Sequence, residues 1–327
     1  MDLHDRRALK AAARNSLAAA PYDPRKLILI HTGISVGLSL LCTIIDYALS
    51  LQIQNTGGLG GLGTRSVLST ARSVLQVIVS LGLPFWEAGY CFATIRIARG
   101  QEANPTSLLE GFRRFGPLLR AMLLQSIIYI GVMILCFTVG SRIFLLTPLS
   151  DTFYEIMQTI PIESTLYGPE LLMDEATSTA IAKACVPMII IVAVLFLIAW
   201  VVLSYRFRLV NYLLLDYHGL RAREALRLSG YYLRGNKLAL FKLDLSFLWF
   251  YVLNGFVALL AYGDYLLSLL GISLPVSGGV AFFVFLLASL LIQGTLFVRL
   301  KNRVEVTYAR FYDLAVPAEE MGGFNSH

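Results

Sequence analysis

Six stretches of this chain are apolar for 20 residues or more, at about 27–51, 67–95, 117–147, 186–207, 238–263 and 278–299. Roughly 20 apolar residues cross ~30 Å of hydrocarbon as a helix. In hydrocarbon every backbone N–H and C=O must be bonded within its own segment, which leaves helices as the spanning element for runs of this length. The chain is therefore expected to be all-α and polytopic, with about six transmembrane helices. Only 15% of its 327 residues are charged, against about 25% for a soluble domain.

Charge distribution gives the expected orientation. With the N-terminus inside, the inner segments hold all but Arg65, Arg72, Arg142 and Lys183 of the 27 Lys and Arg. The reverse orientation would invert that bias, so by the positive-inside rule both termini are expected in the cytoplasm. The net charge of +6 is then a topological signal, and no nucleic-acid partner is expected. The chain divides into a basic helix over 1–26, a membrane domain over 27–300 and a cytoplasmic tail over 301–327. The first apolar run is too long for a cleaved signal peptide and reads as an anchor.

Several local features have ordinary explanations. "MDLHDRRALKAAARNSLAAA" is a helix ended by Pro21 and Pro24. It reads either as an amphipathic helix on the anionic inner leaflet or as a solvated tail. "NTGGLGGLGT" contains GxGxxG at Gly58, Gly60 and Gly63 but follows no soluble strand, so it is a turn. The outer segment 148–185 carries six acids against Lys183 and reads as an acidic cap or as a docking site for a cationic partner. Cys42, Cys91, Cys136 and Cys185 fall in different spans without metal-ligand spacing, so no metal site is expected.

The two long inner links echo each other. At a constant offset, Gly100, Gly111 and Gly116 of the first match Gly219, Gly230 and Gly235 of the second, as two related hairpins would. Each link ends in an aromatic-basic elbow, "RRFG" and "YLRGNK". Arg113, Arg114, Arg234, Lys237 and Lys242 are assigned to lipid headgroups there, since basic and aromatic side chains favour that depth. Asp244 needs a partner, and Lys237 and Lys242 are the nearest along the chain.

Charges deep in a span are different. Glu87 lies nine residues before Arg96, about 13 Å along a helix, beyond the reach of snorkelling. A carboxylate at that depth must be protonated, paired or open to water. Pro84, one turn earlier, frees a carbonyl and favours a kink. Two readings stand: a ligand or proton path, and a polar clamp between helices. His31, near the inner end of the first span, joins this candidate site under two readings, a switch of near-neutral intrinsic pKa and a hydrogen-bonded packing residue. Asp46, Arg72 and Arg142, near the outer ends of the first three spans, form a candidate charge cluster.

No H-E-x-x-H, G-x-S-x-G or GK[ST] occurs, and no cofactor is expected. Three stretches, "RRALKAAARNSLAAAPYDPRKLILI", "IRIARGQEANPTSLLEGFRRF" and "YRFRLVNYLLLDYHGLRAREALRLSGYYLRGNKLALFKLDLSFLWF" with "VEVTYARFYDLA", resemble the bacterial integral membrane proteins catalogued as domain of unknown function 975. "PYDPRK" departs from that family's usual turn, and the acidic outer segment is long for it. The resemblance implies a polytopic membrane protein and brings no activity or site residues. The expectation is a non-enzymatic protein that binds or moves an amphipathic or lipid-like ligand, in an envelope-stress or antimicrobial-tolerance role. A small-solute permease and an accessory subunit of a larger complex are the alternatives. Expected partners are membrane lipids, with a membrane-protein partner or a second copy in the last case.

Overall fold

A computed structural model describes residues 3, 5–55, 62–148, 150–151, 153–155, 175–269 and 278–317. Gly58, Gly60 and most of the acidic outer segment lie outside the described residues. The elements are α1 (Arg6–Ala18), α2 (Pro24–Asn55), α3 (Leu62–Ala98), a 3₁₀ turn (Pro105–Leu109), α4 (Glu110–Arg113), α5 (Phe115–Leu145), α6 (Glu175–Phe207), α7 (Val210–Asp216), α8 (Ala222–Tyr232), α9 (Lys237–Leu245), α10 (Leu248–Leu260), α11 (Gly263–Leu269), α12 (Gly278–Leu296), a π-helical turn (Phe297–Lys301) and α13 (Asn302–Ala315). Among the described residues every element is helical. The chain is an all-α polytopic membrane protein.

Five helices are long and apolar enough to span, and a sixth span results if α9 and α10 count as one. The apolar windows of the five are at most 17% buried, so their outward Leu, Ile, Val and Phe have no protein partner and suit lipid. The chain divides into two compact units, Met1–Leu119 with Leu209–His327, and Arg120–Arg208. In the second, Gly140 of α5 lets that helix lie against Val192 of α6.

The core of the first unit is gathered from the basic ends of its helices and the links between them. Leu9, Leu27, Ile28, Ile95, Ile97, Leu108, Leu213, Leu215, Val306 and Phe311 are each no more than 1% exposed. The helix over 302–315, read from sequence as a cytoplasmic tail, is part of this core. Its Val304, Tyr308, Phe311 and Ala315 recur at helical spacing and are buried, packed against α1 and α3.

The N-terminal helix departs from both sequence readings. Asp5 caps α1 by accepting the Arg7 and Ala8 amides, and the apolar face is covered by protein, with Leu9 and Ala13 buried. Arg310 of α13 donates twice to the Ser16 hydroxyl, at 2.7 and 3.1 Å. Lys10 donates to the Ser246 carbonyl at 3.0 Å and lies 4.1 Å over the Phe247 ring. Burial and the nearby Arg6 and Arg14 charges lower the Lys10 pKa. The helix is docked.

The fifth span is also corrected. The stretch read as one helix over 238–263 breaks at Ser246–Phe247, and α9 and α10 bend by 61°. At the break the backbone bonds tighten to i→i−3, from Phe247 to Asp244 and from Phe250 to Phe247, while the Ser246 hydroxyl donates to the Leu243 carbonyl and Lys10 donates to the Ser246 carbonyl. The two links share glycines but not their conformations. Gly100 and Gly235 have positive φ, 72° and 90°, whereas their counterparts Gly219 and Gly116 do not.

Candidate functional site

The α3 segment Phe85–Tyr90 is the crossing point of the first unit. Phe85, Trp86, Ala88 and Tyr90 are buried, and the 3₁₀ turn and α4 cross so closely that only glycines fit. A Cβ on Gly89 would overlap the Leu108 carbonyl, and one on Gly111 the Phe85 carbonyl. This crossing packs the back of α3 and turns Glu87 the other way.

Glu87 faces Lys301, the last residue of the π-helical turn. The Lys301 ammonium contacts both carboxylate oxygens, at 2.8 and 2.9 Å. It also lies 5.1 Å from the Tyr90 ring centroid and 4.7 Å from that of Phe297, so a nearly buried cation is held by a carboxylate and two aromatic faces. The next residue, Asn302, accepts the Tyr90 hydroxyl and donates to the Pro24 carbonyl, which ties the turn to α2 and α3. A π turn inserts an extra residue into the helical ladder, and here it brings a lysine and an asparagine inward in succession.

His31 completes the cluster from α2. Its ring is 1% exposed, stacks on Trp86 at 5.6 Å and tilts against Tyr90 at 4.5 Å. Nε2 lies 3.3 Å from Glu87, and neither ring nitrogen has a hydrogen-bond partner that meets full geometry among the described residues. The Trp86 indole N–H donates to the His31 carbonyl at 3.1 Å.

Despite these partners, half of the Glu87 side-chain surface is open. It opens into a cleft of about 490 Å³ between α2, α3 and the end of α12. One part of the lining is polar, with Ser35, Ser39 and Gln293 beside Glu87, His31 and Lys301; Leu83, Pro84, Leu290 and Phe297 form the apolar part. Pro84 lies inside α3, which continues as one element to Ala98. The cleft offers a charge pair and hydrogen-bonding groups at one place and an apolar wall at another.

The other sequence candidates separate into two kinds. Asp46 and Arg72 form a two-pronged ion pair at 2.6 and 2.9 Å, and Gln76 donates to Asp46 at 3.3 Å. Arg142 belongs to the other unit, and the Asp46 carboxylate is satisfied without it. Among the elbow residues, Arg113, Arg234, Lys237 and Lys242 are exposed. Arg114 is 7% exposed, donates to the Leu214 carbonyl and lies 3.6 Å from Glu110; burial lowers its pKa. It is a packing residue. Asp244 is not partnered as expected from its neighbours in sequence. It accepts the Tyr308 hydroxyl of α13, which itself bonds Tyr251 at 2.7 Å.

Sequence reasoning missed Lys301 and a second network at the end of α3. There Arg99 contacts Asp216 at 2.6 and 2.7 Å and Asp313 at 2.8 and 2.9 Å. The Tyr312 hydroxyl donates to Asp216 at 2.9 Å. Its hydrogen bonds to Asp216 hold Arg99 above the usual arginine range. The helical periodicity of "NRVEVTYARFYDLA" was the available signal that these C-terminal residues pack inward.

A multi-helix membrane domain with a polar cleft in its spans defines the class. The family described as "Protein of unknown function (DUF975)" matches residues 1–314, and the chain belongs to it. No curated protein and no solved structure matches the chain.

Proposed function

We propose that this protein binds an amphipathic, lipid-like ligand in the cell membrane of a bacterium, without chemical conversion, and that its polar end enters the cleft at Glu87 and Lys301. The carrying observation is the open half of Glu87. A clamp of the same two residues would be expected to close over the pair, because a charge exposed to hydrocarbon costs several kcal/mol. The apolar wall beside the pair suits an acyl or other hydrophobic tail. The role is an envelope-protective one, and both termini are placed in the cytoplasm by the basic bias of the inner segments.

The test is photolabelling in nanodiscs with a phosphatidylethanolamine carrying a diazirine near its headgroup. Label is expected on peptides from α2, α3 and α12, and Ser39→Trp, which fills the cleft, should remove it. Equal labelling of wild type and Ser39→Trp would refute the reading. The polar side of the cleft, Ser35, Ser39 and Gln293, favours a small-solute permease as the second reading. Uptake in proteoliposomes without any lipid labelling would select it. For orientation, a cysteine-free background with Ser66→Cys, Lys183→Cys, Glu102→Cys or Gly219→Cys should label from outside at the first two positions only.

A further inference from the structure

Apart from the cleft, a groove of about 850 Å³ runs between the end of α1, the start of α2 and the π-helical turn with the start of α13. Arg14, Arg25, Arg299 and Arg303 line it from these elements, and all four are exposed. Among the described residues none of them forms an ion pair. The acid in the lining, Asp23, accepts the Arg25 backbone amide at 2.9 Å at the start of α2. Four arginines thus line a space with one carboxylate, a surplus of the donors that match phosphate oxygens.

Two apolar grooves lead away from this arginine group. One, of about 410 Å³, runs between α12 and α2 past Leu29 and Val36. The other, of about 440 Å³, runs along another side of α12 past Ile292 and Leu296. Both share Leu291, Thr295 and Arg299, so they flank the same turns of α12 and meet at the same arginine. Their α12 walls lie in an apolar helix long enough to span a membrane.

We infer that the arginine groove is a site for an anionic phospholipid, with its phosphate among Arg14, Arg25, Arg299 and Arg303 and its two acyl chains along the two flanks of α12. A headgroup that brings its own ammonium, as phosphatidylcholine does, would oppose the net positive charge of four arginines and one aspartate, whereas a net negative one would not. Inorganic phosphate would leave both apolar grooves unused. The arginine site is separate from the Glu87–Lys301 pair, although the groove between α12 and α2 shares Thr32, Val36 and Leu290 with the cleft.

The experiment is native mass spectrometry of the full chain in nonionic detergent, titrated with dioleoylphosphatidylglycerol or dioleoylphosphatidylcholine. The anionic lipid should be retained at roughly tenfold lower concentration, and Arg299→Gln/Arg303→Gln should reduce its retention to that of the zwitterionic lipid. If that double variant fails to fold, Arg14→Gln and Arg25→Gln, on two other elements, should each weaken the preference. Thr295→Trp, which narrows both grooves, should weaken retention of the anionic lipid with the arginines intact. Inorganic phosphate should not displace the lipid, and Glu87→Gln should keep the preference, which separates this result from failure of the cleft reading. Equal retention of the two lipids, an undiminished preference in the arginine variants, or displacement by inorganic phosphate would each overturn the proposal.

Discussion

The Glu87–Lys301 and Arg99–Asp313 contacts join the same two stretches of chain, α3 and the end of the last long helix, yet they are built to opposite ends. Twelve residues separate Glu87 from Arg99 and Lys301 from Asp313, and the signs are exchanged between them. At the Arg99 end, two carboxylates hold one guanidinium, a tyrosine donates to one of them, and the Asp216 and Asp313 side chains are only 12% and 18% exposed. At the Glu87 end, an acid with two basic neighbours still has half its surface open. A saturated network fixes position. An incompletely covered pair beside a cleft can meet something else. The exchanged signs also set the register, since sliding one helix along the other would separate both pairs.

Breaking the saturated end should have the largest effect. Arg99→Ala leaves two acids facing each other and should lower unfolding stability in detergent by about 2–4 kcal/mol, between the ranges for exposed and buried pairs. Arg99→Lys should recover only part of this, because an ammonium cannot serve both carboxylates in the planar fork geometry. A wild-type denaturation midpoint for Arg99→Ala would remove the distinction between the two ends.

Gly89→Ala comes next. Its Cβ would meet the backbone of Leu108, which cannot rotate away, so about 1–3 kcal/mol of overpacking is expected. Because that crossing also positions Glu87, lipid photolabelling should fall with it. Stability loss with intact labelling would show that the cleft does not depend on the crossing.

The open end should respond differently. Lys301→Met should cost less than Arg99→Ala, because the exposed half of Glu87 can find water or ligand, but it should abolish photolabelling. A loss as large as that of Arg99→Ala would identify the Glu87 pair as a second lock. Arg113→Gln, which removes a pair with a 69% exposed arginine side chain, should change stability by less than about 0.5 kcal/mol and calibrates the bottom of the scale.

Much of this contrast was partly legible in the chain. An acid amid "LGLPFWEAGY" is conspicuous in a span because nothing nearby can neutralise it, and that is why Glu87 could be singled out. Its partner was not, since Lys301 is 214 residues away and sits among arginines that read as a positive-inside signal. One lysine can serve topology and pairing alike, and charge counting registers only the first. The spans themselves were readable from apolar length, but the break in α9–α10 was not. The Ser246 carbonyl there is taken by Lys10, 236 residues upstream, and a lone serine in "LDLSFLW" is too weak a local signal to announce a bend. Arg114 was misassigned for a similar reason: only the tertiary position of the Leu214 carbonyl distinguishes it from its exposed neighbour Arg113.

The docking of α1 has a consequence in time. Ser16 meets Arg310 across 294 residues, so α1 cannot find its seat until α13 has been made. At ~5–20 residues per second, synthesis of the intervening chain takes on the order of tens of seconds. Throughout that interval Leu9 and Ala13 lack the surface that covers them in the finished protein, and the Ser246 carbonyl lacks Lys10. The spans must therefore enter the bilayer before this core closes.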